Sequence, residues 1–535
     1  MICKNCSFDN SEEMNFCQNC GASLADAKAE KINSVEEENI ATEENNVPQT
    51  ENTTSIKELE GFKDGKGFKF YLFRIIIPVI ALFLIVFIGI TTLKPDKYSV
   101  IKNQIIYNYN DEGDYTEIYF NSTKLDNKID SSFSITSTSI NGDIAIGKNY
   151  NDELYYINKK GIKKIDEEVE SSLLSKNGKF AVYVKNEEND DDRVEVLYLF
   201  NISKEKSEKI SDDEISNYFI SPDGKSVVYS TTEDESYFYT NGKATKIDNN
   251  GLEVISVSNS GKYIYAYDSS EETLYVLNKK GDKEKITNNF LSTAYYFNDD
   301  NTQILFYSST SNGVGTYISK KGEEKIKISS GICSVLLPEY VSTDGISNFL
   351  NQYYIDTSSN IFSSLLNSVD VFYINKKGDK EDIVSSVSNP KLSSNGKYLF
   401  YINYNDIFRS KAEKDAKEQV IATSVDSDFD YAVIDEYKKV YYIDDDSALR
   451  FCKNGKDSEK ISDDVDKFIQ TGKDLIIFTD TDNQLFSSKN GGDKKKIDDD
   501  VISIYSNNFI SLYKKEIDDE YKTFVSNGNE KFNPA

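Results

Sequence analysis

The sequence predicts a mainly β chain of repeated four-stranded units, carried on one membrane-spanning helix and preceded by a small metal-bound knob. Three observations predict this. A strand–turn–strand element returns about every 40 residues from Tyr98 onward. Ile75 to Leu93 is an uncharged apolar run. Two Cys-x-x-Cys pairs stand within the first 24 of the 535 residues.

The N-terminal pairs are Cys3 with Cys6 and Cys17 with Cys20. Each pair sets two thiolates on a tight knuckle, and two knuckles close a tetrahedron around Zn²⁺. Such a site has no open position, so its zinc is structural. Two disulfides are the alternative, which a reducing compartment disfavours. The stretch MICKNCSFDNSEEMNFCQNCGASL resembles the short N-terminal zinc ribbons of bacterial membrane proteins, with Ser7 where the family has glycine. The reading is a zinc ribbon over 1–24 and an acidic, disordered linker over 25–69. In the linker Glu36, Glu37, Glu38, Glu43 and Glu44 sit among polar residues without apolar period.

A transmembrane helix is expected over 70–93, because a hydrocarbon core of about 30 Å needs about 20 apolar helical residues. Pro78 falls in its first turn, where a missing N–H costs least. Lys63, Lys66, Lys69 and Arg74 precede the run, while Lys94 and Lys97 follow it. The cation bias places the N-terminus in the cytoplasm and residues 94–535 outside, on a single-pass cell-membrane protein.

From 94 to 535 two elements alternate. The first is LYYINKKGIKKI, LYVLNKKGDKEKI and their relatives, with turn glycines at Gly161, Gly242, Gly281, Gly322, Gly378, Gly455 and Gly491. Copies near Ser203 and Lys414 lack the glycine. The second is FISPDGKSVVYS and its relatives, with Gly178, Gly224, Gly261, Gly345 and Gly396, and weaker copies at Gly142, Asn301 and Gly472. Aromatic and β-branched alternation supplies strands, and Asn-Gly or Asp-Gly supplies turns. Four short strands in about 40 residues make one β-propeller blade. The motif Ser221-Pro222-Asp223-Gly224-Lys225, repeated as Ser393-Ser394-Asn395-Gly396-Lys397, resembles the repeat of TolB-like and dipeptidyl-peptidase-type propellers. That resemblance implies the propeller fold, and this sequence carries no hydrolase domain after it. About 10–11 units are expected, as two packed rings in preference to one large ring. The segment YSVIKNQIIYNYN reads as a second hairpin alone and YKTFVSNGNEKF as a first alone, so the two could pair and complete one blade. The expanded stretch between Gly345 and Val371 reads as a seam or an inserted loop.

Composition narrows the chemistry. With no His and no Trp, neither a Ser-His-Asp nor a Cys-His relay can form. A net charge of −28 argues against nucleic acid as a partner. Asp runs at 190–192, 444–446 and 498–500, and Asp480 with Asp482, lack a complete D-x-D-x-D-G loop. They read as turn caps first, with Ca²⁺ left open. Cys333 and Cys452 read as separate buried thiols, and the many Tyr and Phe as packing between blades. The expected function is a non-enzymatic binding or scaffold module at the cell envelope, with an envelope protein or glycan as ligand. The alternatives are a transmembrane sensor and a carboxylate-based glycan hydrolase.

Overall fold

The structure is a computed structural model that describes residues 98–532 apart from short segments, the longest being 357–367. Cys3, Cys6, Cys17 and Cys20, read from the sequence as zinc ligands, lie outside the described residues, as do the acidic stretch and the apolar run. Among the described residues no helix is long and apolar enough to cross a membrane.

The strands of the described residues pair antiparallel in nine four-stranded sheets, one seven-stranded sheet and one two-stranded pair. Eight of the four-stranded sheets run in chain order, each strand hydrogen-bonded to the next, as in Ile215–Ile220, Ser226–Thr231, Ser236–Thr240 and Lys243–Asp248; in the ninth, Thr123–Lys124 and Ile129–Asp130 both pair with Tyr115–Phe120. We name the four strands of a unit A to D. The seven-stranded sheet holds two units joined through one long strand, Lys380–Leu392, which ends one unit and begins the next. Counted this way the units number eleven, starting at Ile105 (1), Phe133 (2), Val169 (3), Ile215 (4), Glu253 (5), Phe290 (6), Cys333 (7), Ser388 (8), Ala432 (9), Val465 (10) and Val501 (11). Unit 1 has no strand A of its own.

Burial falls from B to D. Every residue of Ser226–Thr231 is buried, whereas Lys243–Asp248 is exposed over its first four positions. Strand B therefore reads SVVYST and strand D reads KATKID, since a strand covered on both faces needs apolar or small residues on both. The cores lie between units. One cluster packs Val182 and Leu197 of unit 3 against Tyr218, Val227 and Tyr239 of unit 4, and another joins Val387 to Leu399 and Tyr401 across units 7 and 8. Stacked pairs such as Tyr183 with Tyr198 (5.4 Å) and Tyr229 with Tyr237 (5.2 Å) fill the B–C interior. The aromatic residues thus pack as their alternation predicts.

The turns obey backbone geometry. Gly224 takes φ +75°, and a Cβ there would lie 2.4 Å from the Phe180 ring of unit 3. Where the C–D turn lacks glycine, Glu205 (φ 51°) and Asp415 (φ 54°) occupy the left-handed position instead. The two glycine-free copies read from the sequence are therefore real turns.

The termini do not pair with each other. Tyr98–Val100 pairs with Val341–Ile346, and residues 501–532 build a complete sheet of their own. The expected closure fails because unit 11 has its own strand A, Val501–Asn507, while the long A–B link of unit 7 offers a free edge to the first strand. The closing strand, Val341–Ile346, overlaps the expanded stretch only at its first residues.

That pairing completes a circuit of A–B turns. Lys102 and Asn103 donate backbone N–H to Asn141 O of unit 2, and Ile140 N–H donates to Lys176 O of unit 3. Asn177 N–H donates to Pro222 O of unit 4, and Asp223 N–H to Asn259 Oδ1 of unit 5. Asn259 N–H then donates to Asp300 O of unit 6, and Asp299 N–H to Ile346 O, on the strand that pairs with Tyr98–Val100. The circuit encloses units 1 to 7 and leaves units 8 to 11 as a following array.

The lysines of the connections are confined to one rim of the units, whereas acids stand on both, as Asp223, Asp299, Asp300, Glu323 and Glu324 do beside the lysines. In an antiparallel meander the A–B and C–D turns share one rim, and the B–C and D–A links share the other. The D–A links read Glu167-Glu168, Asp212-Asp213-Glu214, Asp463-Asp464 and Asp499-Asp500; the B–C links read Asp152-Glu153, Glu233-Asp234-Glu235, Glu271-Glu272 and Asp444-Asp445-Asp446. Among the described residues, no Lys or Arg stands in a B–C or D–A link. The lysines of the connections fall on the opposite rim, as in Lys159-Lys160, Lys279-Lys280, Lys376-Lys377, Lys225 and Lys397.

Candidate functional site

The circuit of A–B turns gathers charge from distant parts of the chain. Lys176, on the turn of unit 3, donates from Nζ to the Asn298 carbonyl of unit 6 at 2.8 Å and meets Asp344 Oδ1 of the seam strand at 3.4 Å. One side chain therefore ties unit 3 to unit 6 and to the closing strand. The turn of unit 6 is ordered by its own side chains. Asn298 Oδ1 accepts from the N–H of Gln303 at 2.8 Å, and Asp300 Oδ1 accepts from Thr302 Oγ1 at 2.6 Å. Beside this hub lies a cavity of about 270 Å³ lined by Ile101, Gln104, Thr138, Ile140, Lys176 and Asp344.

The hub groups are electrostatically displaced. Burial pulls the Lys176 ammonium below the usual lysine range, against the pull of Asp344, Asp299 and Asp300 in the other direction. Burial and the neighbouring Asp300 push Asp299 up to about 6. Asp299 thus exchanges a proton near neutrality. Its raised value means the folded chain holds that proton more tightly than the unfolded chain. The proton's contribution to stability is lost as pH rises through about 6 and is regained on acidification toward the ordinary carboxylate range. Asp299→Asn, which cannot ionise, is expected to be more stable than the wild type by about 1 kcal/mol at about pH 7.5, the figure being reduced for solvent screening of a half-buried group. The advantage should vanish by about pH 4; urea unfolding of both chains across that range measures it.

A second opening of about 750 Å³ lies where unit 6 meets unit 7, lined by Lys327, Ser329, Gly331, Ile332, Asp356 and Lys380. Ser329 Oγ donates to Asp356 Oδ2 at 2.8 Å, and Lys380 Nζ sits 4.2 Å above the Phe372 ring.

The residues read from sequence separate clearly. Asp444 accepts from the N–H of Asp446 (3.1 Å) and of Ala448 (2.9 Å), and Asp480 does the same for Asp482 (3.1 Å) and Gln484 (2.9 Å). Both cap their own turns, as expected of turn aspartates. Cys333 and Cys452 are separate buried thiols in different units; the Cys452 thiol donates to the Ile421 carbonyl at 2.9 Å, and burial lifts the Cys333 thiol to about 12. Sequence reasoning missed Lys176 and Asp299, because nothing local distinguishes them from other turn residues. It also missed a clamp between units. Tyr513 and Lys515 on one strand both donate to Asp498 at the end of the preceding unit, at 2.8 and 2.9 Å. Tyr183 and Lys185 repeat it on Asp166 at 2.7 and 2.6 Å. The recurring Tyr-x-Lys two strands after Lys-Ile-Asp was the available signal.

No family model matches the chain, and no curated protein matches it. Among solved structures it is similar to an oligogalacturonate lyase in complex with manganese, at 13% identity over 57% of this chain and 94% of that one, with a TM-score of 0.33. It is similar to dipeptidyl peptidase 4 of Porphyromonas gingivalis, at 10% identity over 71% of this chain and 64% of that one, with a TM-score of 0.35. It is also similar to a putative TolB from Agrobacterium tumefaciens, at 16% identity over 42% of this chain and 88% of that one, with a TM-score of 0.28. The chain thus spans less than two thirds of the peptidase. These likenesses correct one expectation. The sequence reading denied the chain an enzymatic role, yet the similar structures include a lyase and a peptidase. The absence of His removes one class of relay only, and leaves chemistry on carboxylates and lysine open.

Proposed function

We propose that the chain is a single-pass membrane protein whose β-propeller array lies outside the cell and binds an envelope protein or glycan at the hub of its A–B turns. In this reading Cys3, Cys6, Cys17 and Cys20 hold a structural Zn²⁺ in the cytoplasm. The observation that carries the binding role is the hub itself. A closed hydrogen-bond circuit holds an amine and three carboxylates, from Lys176, Asp299, Asp300 and Asp344, on segments up to 168 residues apart. Preorganised, partly desolvated charges of both signs are what recognition of a polar ligand requires. A second reading, acid–base chemistry on such a ligand, is favoured by Asp299, which carries an exchangeable proton near neutral pH.

Intact cells expressing the full chain test the topology. Added protease should remove residues 98–535, and an impermeant thiol reagent should reach the four N-terminal cysteines only after permeabilisation and zinc chelation. Labelling of those cysteines on intact cells would refute the orientation. For the binding role, the purified full chain should retain envelope protein or glycan, and Lys176→Met should weaken that retention about tenfold. Equal retention by the variant would remove the hub from the reading.

A further inference from the structure

The opening where unit 6 meets unit 7 lies at a seam that departs from a pattern two other seams keep. In unit 6, Lys325 stands two residues before the register partner of Tyr317. Its ammonium lies 4.7 Å above that ring and donates to Thr287 Oγ1 at 2.6 Å. In unit 10, Lys494 repeats this over Phe486 at 4.6 Å and donates to Ser462 Oγ at 2.9 Å. Thr287 and Ser462 each end strand D of the preceding unit. In unit 7 the same two places hold Lys380, 4.2 Å above Phe372, and Ser329. Here the hydroxyl is already engaged. Ser329 Oγ donates to Asp356 Oδ2 at 2.8 Å and accepts the Gly331 N–H at 3.1 Å. Among the described residues the ion-pair partner of Lys380 is the exposed Asp382, at 3.5 Å. The Lys380 ammonium and the buried Asp356 carboxylate thus line one opening of about 750 Å³ without pairing to each other.

We propose that this opening is a second binding site, for a short neutral oligosaccharide. An ammonium only donates hydrogen bonds and a carboxylate only accepts them, whereas the adjacent hydroxyls of a sugar do both. One hydroxyl can accept from Lys380 while its neighbour donates to Asp356. Val314 and the half-exposed Ile332 supply an apolar wall for the C–H face of a ring. The charges argue for a neutral ligand. Lys327 and Lys380 at the opening are balanced by Asp356 and Asp382, and the chain as a whole, at −28, repels acidic ligands. The volume falls within the range of about 300–1,000 Å³ usual for small-molecule pockets. This site goes beyond the hub. It shares no lining residue with the cavity there, and its D–A link, residues 330–332, lies on the rim away from the A–B turns.

The experiment sets the purified full chain on an array of neutral and acidic oligosaccharides. Neutral members should retain the wild type. Ser330→Trp fills the opening from an exposed position, so its urea midpoint should match the wild type. Lys380→Met removes the donor and keeps a flexible stem over Phe372. Each should lower retention by neutral members about tenfold. Lys494→Met, at the matching place of unit 10, removes a bonded lysine and should leave retention unchanged. The proposal is overturned if no neutral member retains the wild type, or if only acidic members do. Equal retention of the wild type, Ser330→Trp and Lys380→Met overturns it as well. Retention that falls in Lys176→Met but not in Ser330→Trp assigns the sugar to the hub, so that the hub reading stands while this site fails.

Discussion

Gly142→Val is expected to destabilise the array by about 4 kcal/mol, the largest effect of any single substitution considered for this chain. The turn of unit 2 holds Gly142 at φ +75°, and a Cβ there would stand 1.7 Å from the Asn103 carbonyl oxygen. Two costs add. A β-branched residue in the left-handed region costs about 1–2 kcal/mol. Relief of the clash must also displace residues 101–104 and break the bonds from Lys102 and Asn103 to Asn141, each worth about 1 kcal/mol. The circuit of A–B turns then opens between units 1 and 2. Thermal unfolding should begin several degrees lower, and the amides of 98–103 should exchange fastest relative to the wild type. Gly161→Val is the control. Gly161 also has positive φ, at +136°, but nothing lies within 4 Å of its Cβ position, so its loss should be about 1–2 kcal/mol with the seam amides unchanged. Equal amide exchange at the seam in both variants would show that the circuit does not depend on this close approach.

Asp498→Ala should cost about 3 kcal/mol, because it strands its partners and not because the ion pair is strongly stabilising. Asp498 and Lys515 have side chains only 10% and 12% exposed, and Tyr513 donates its hydroxyl to the same carboxylate. Removing the acid leaves an ammonium and a phenol without their acceptor in a poorly solvated seam between units 10 and 11. Breaking one side of such a pair costs more than the pair contributes. Asp498→Ala combined with Lys515→Met should recover most of the loss, since the buried charge goes with its partner. Urea unfolding monitored by tyrosine fluorescence compares the three chains. A double variant no more stable than Asp498→Ala would show that packing around Asp498, and not the orphaned lysine, is responsible.

The repeat was legible at the level of strands and turns because those follow from local chemistry. A Ser-Pro-Asp-Gly-Lys segment closes a turn wherever it stands, and alternating Tyr, Val and Ile extends on either side. Even the copies without glycine could be placed by spacing, and the structure supplies the reason, since Glu205 and Asp415 accept the left-handed conformation. The turn role of Asp444 and Asp480 was legible for the same reason, as each bonds backbone within four residues of itself. The closure was not. Pairing Tyr98–Val100 with Val341–Ile346 joins segments more than 240 residues apart, and nothing in YSV distinguishes that edge from any other. The hub was illegible on the same ground. Lys176 is one of many turn lysines until the circuit brings Asn298 and Asp344 beside it.

By itself the sequence determined the class of structure, the repeat length, the eleven-unit count to within one and the burial of Cys333 and Cys452. These depend on period, turn chemistry and hydrophobicity, which act over a few residues. Only the tertiary structure decided which edge closes the circuit, which lysine crosses the hub, and that the lysines of the connections gather on one rim. The physical reason is that an antiparallel meander sends alternate connections to opposite ends, so the lysine-bearing turns come to share one rim only once the strands have paired.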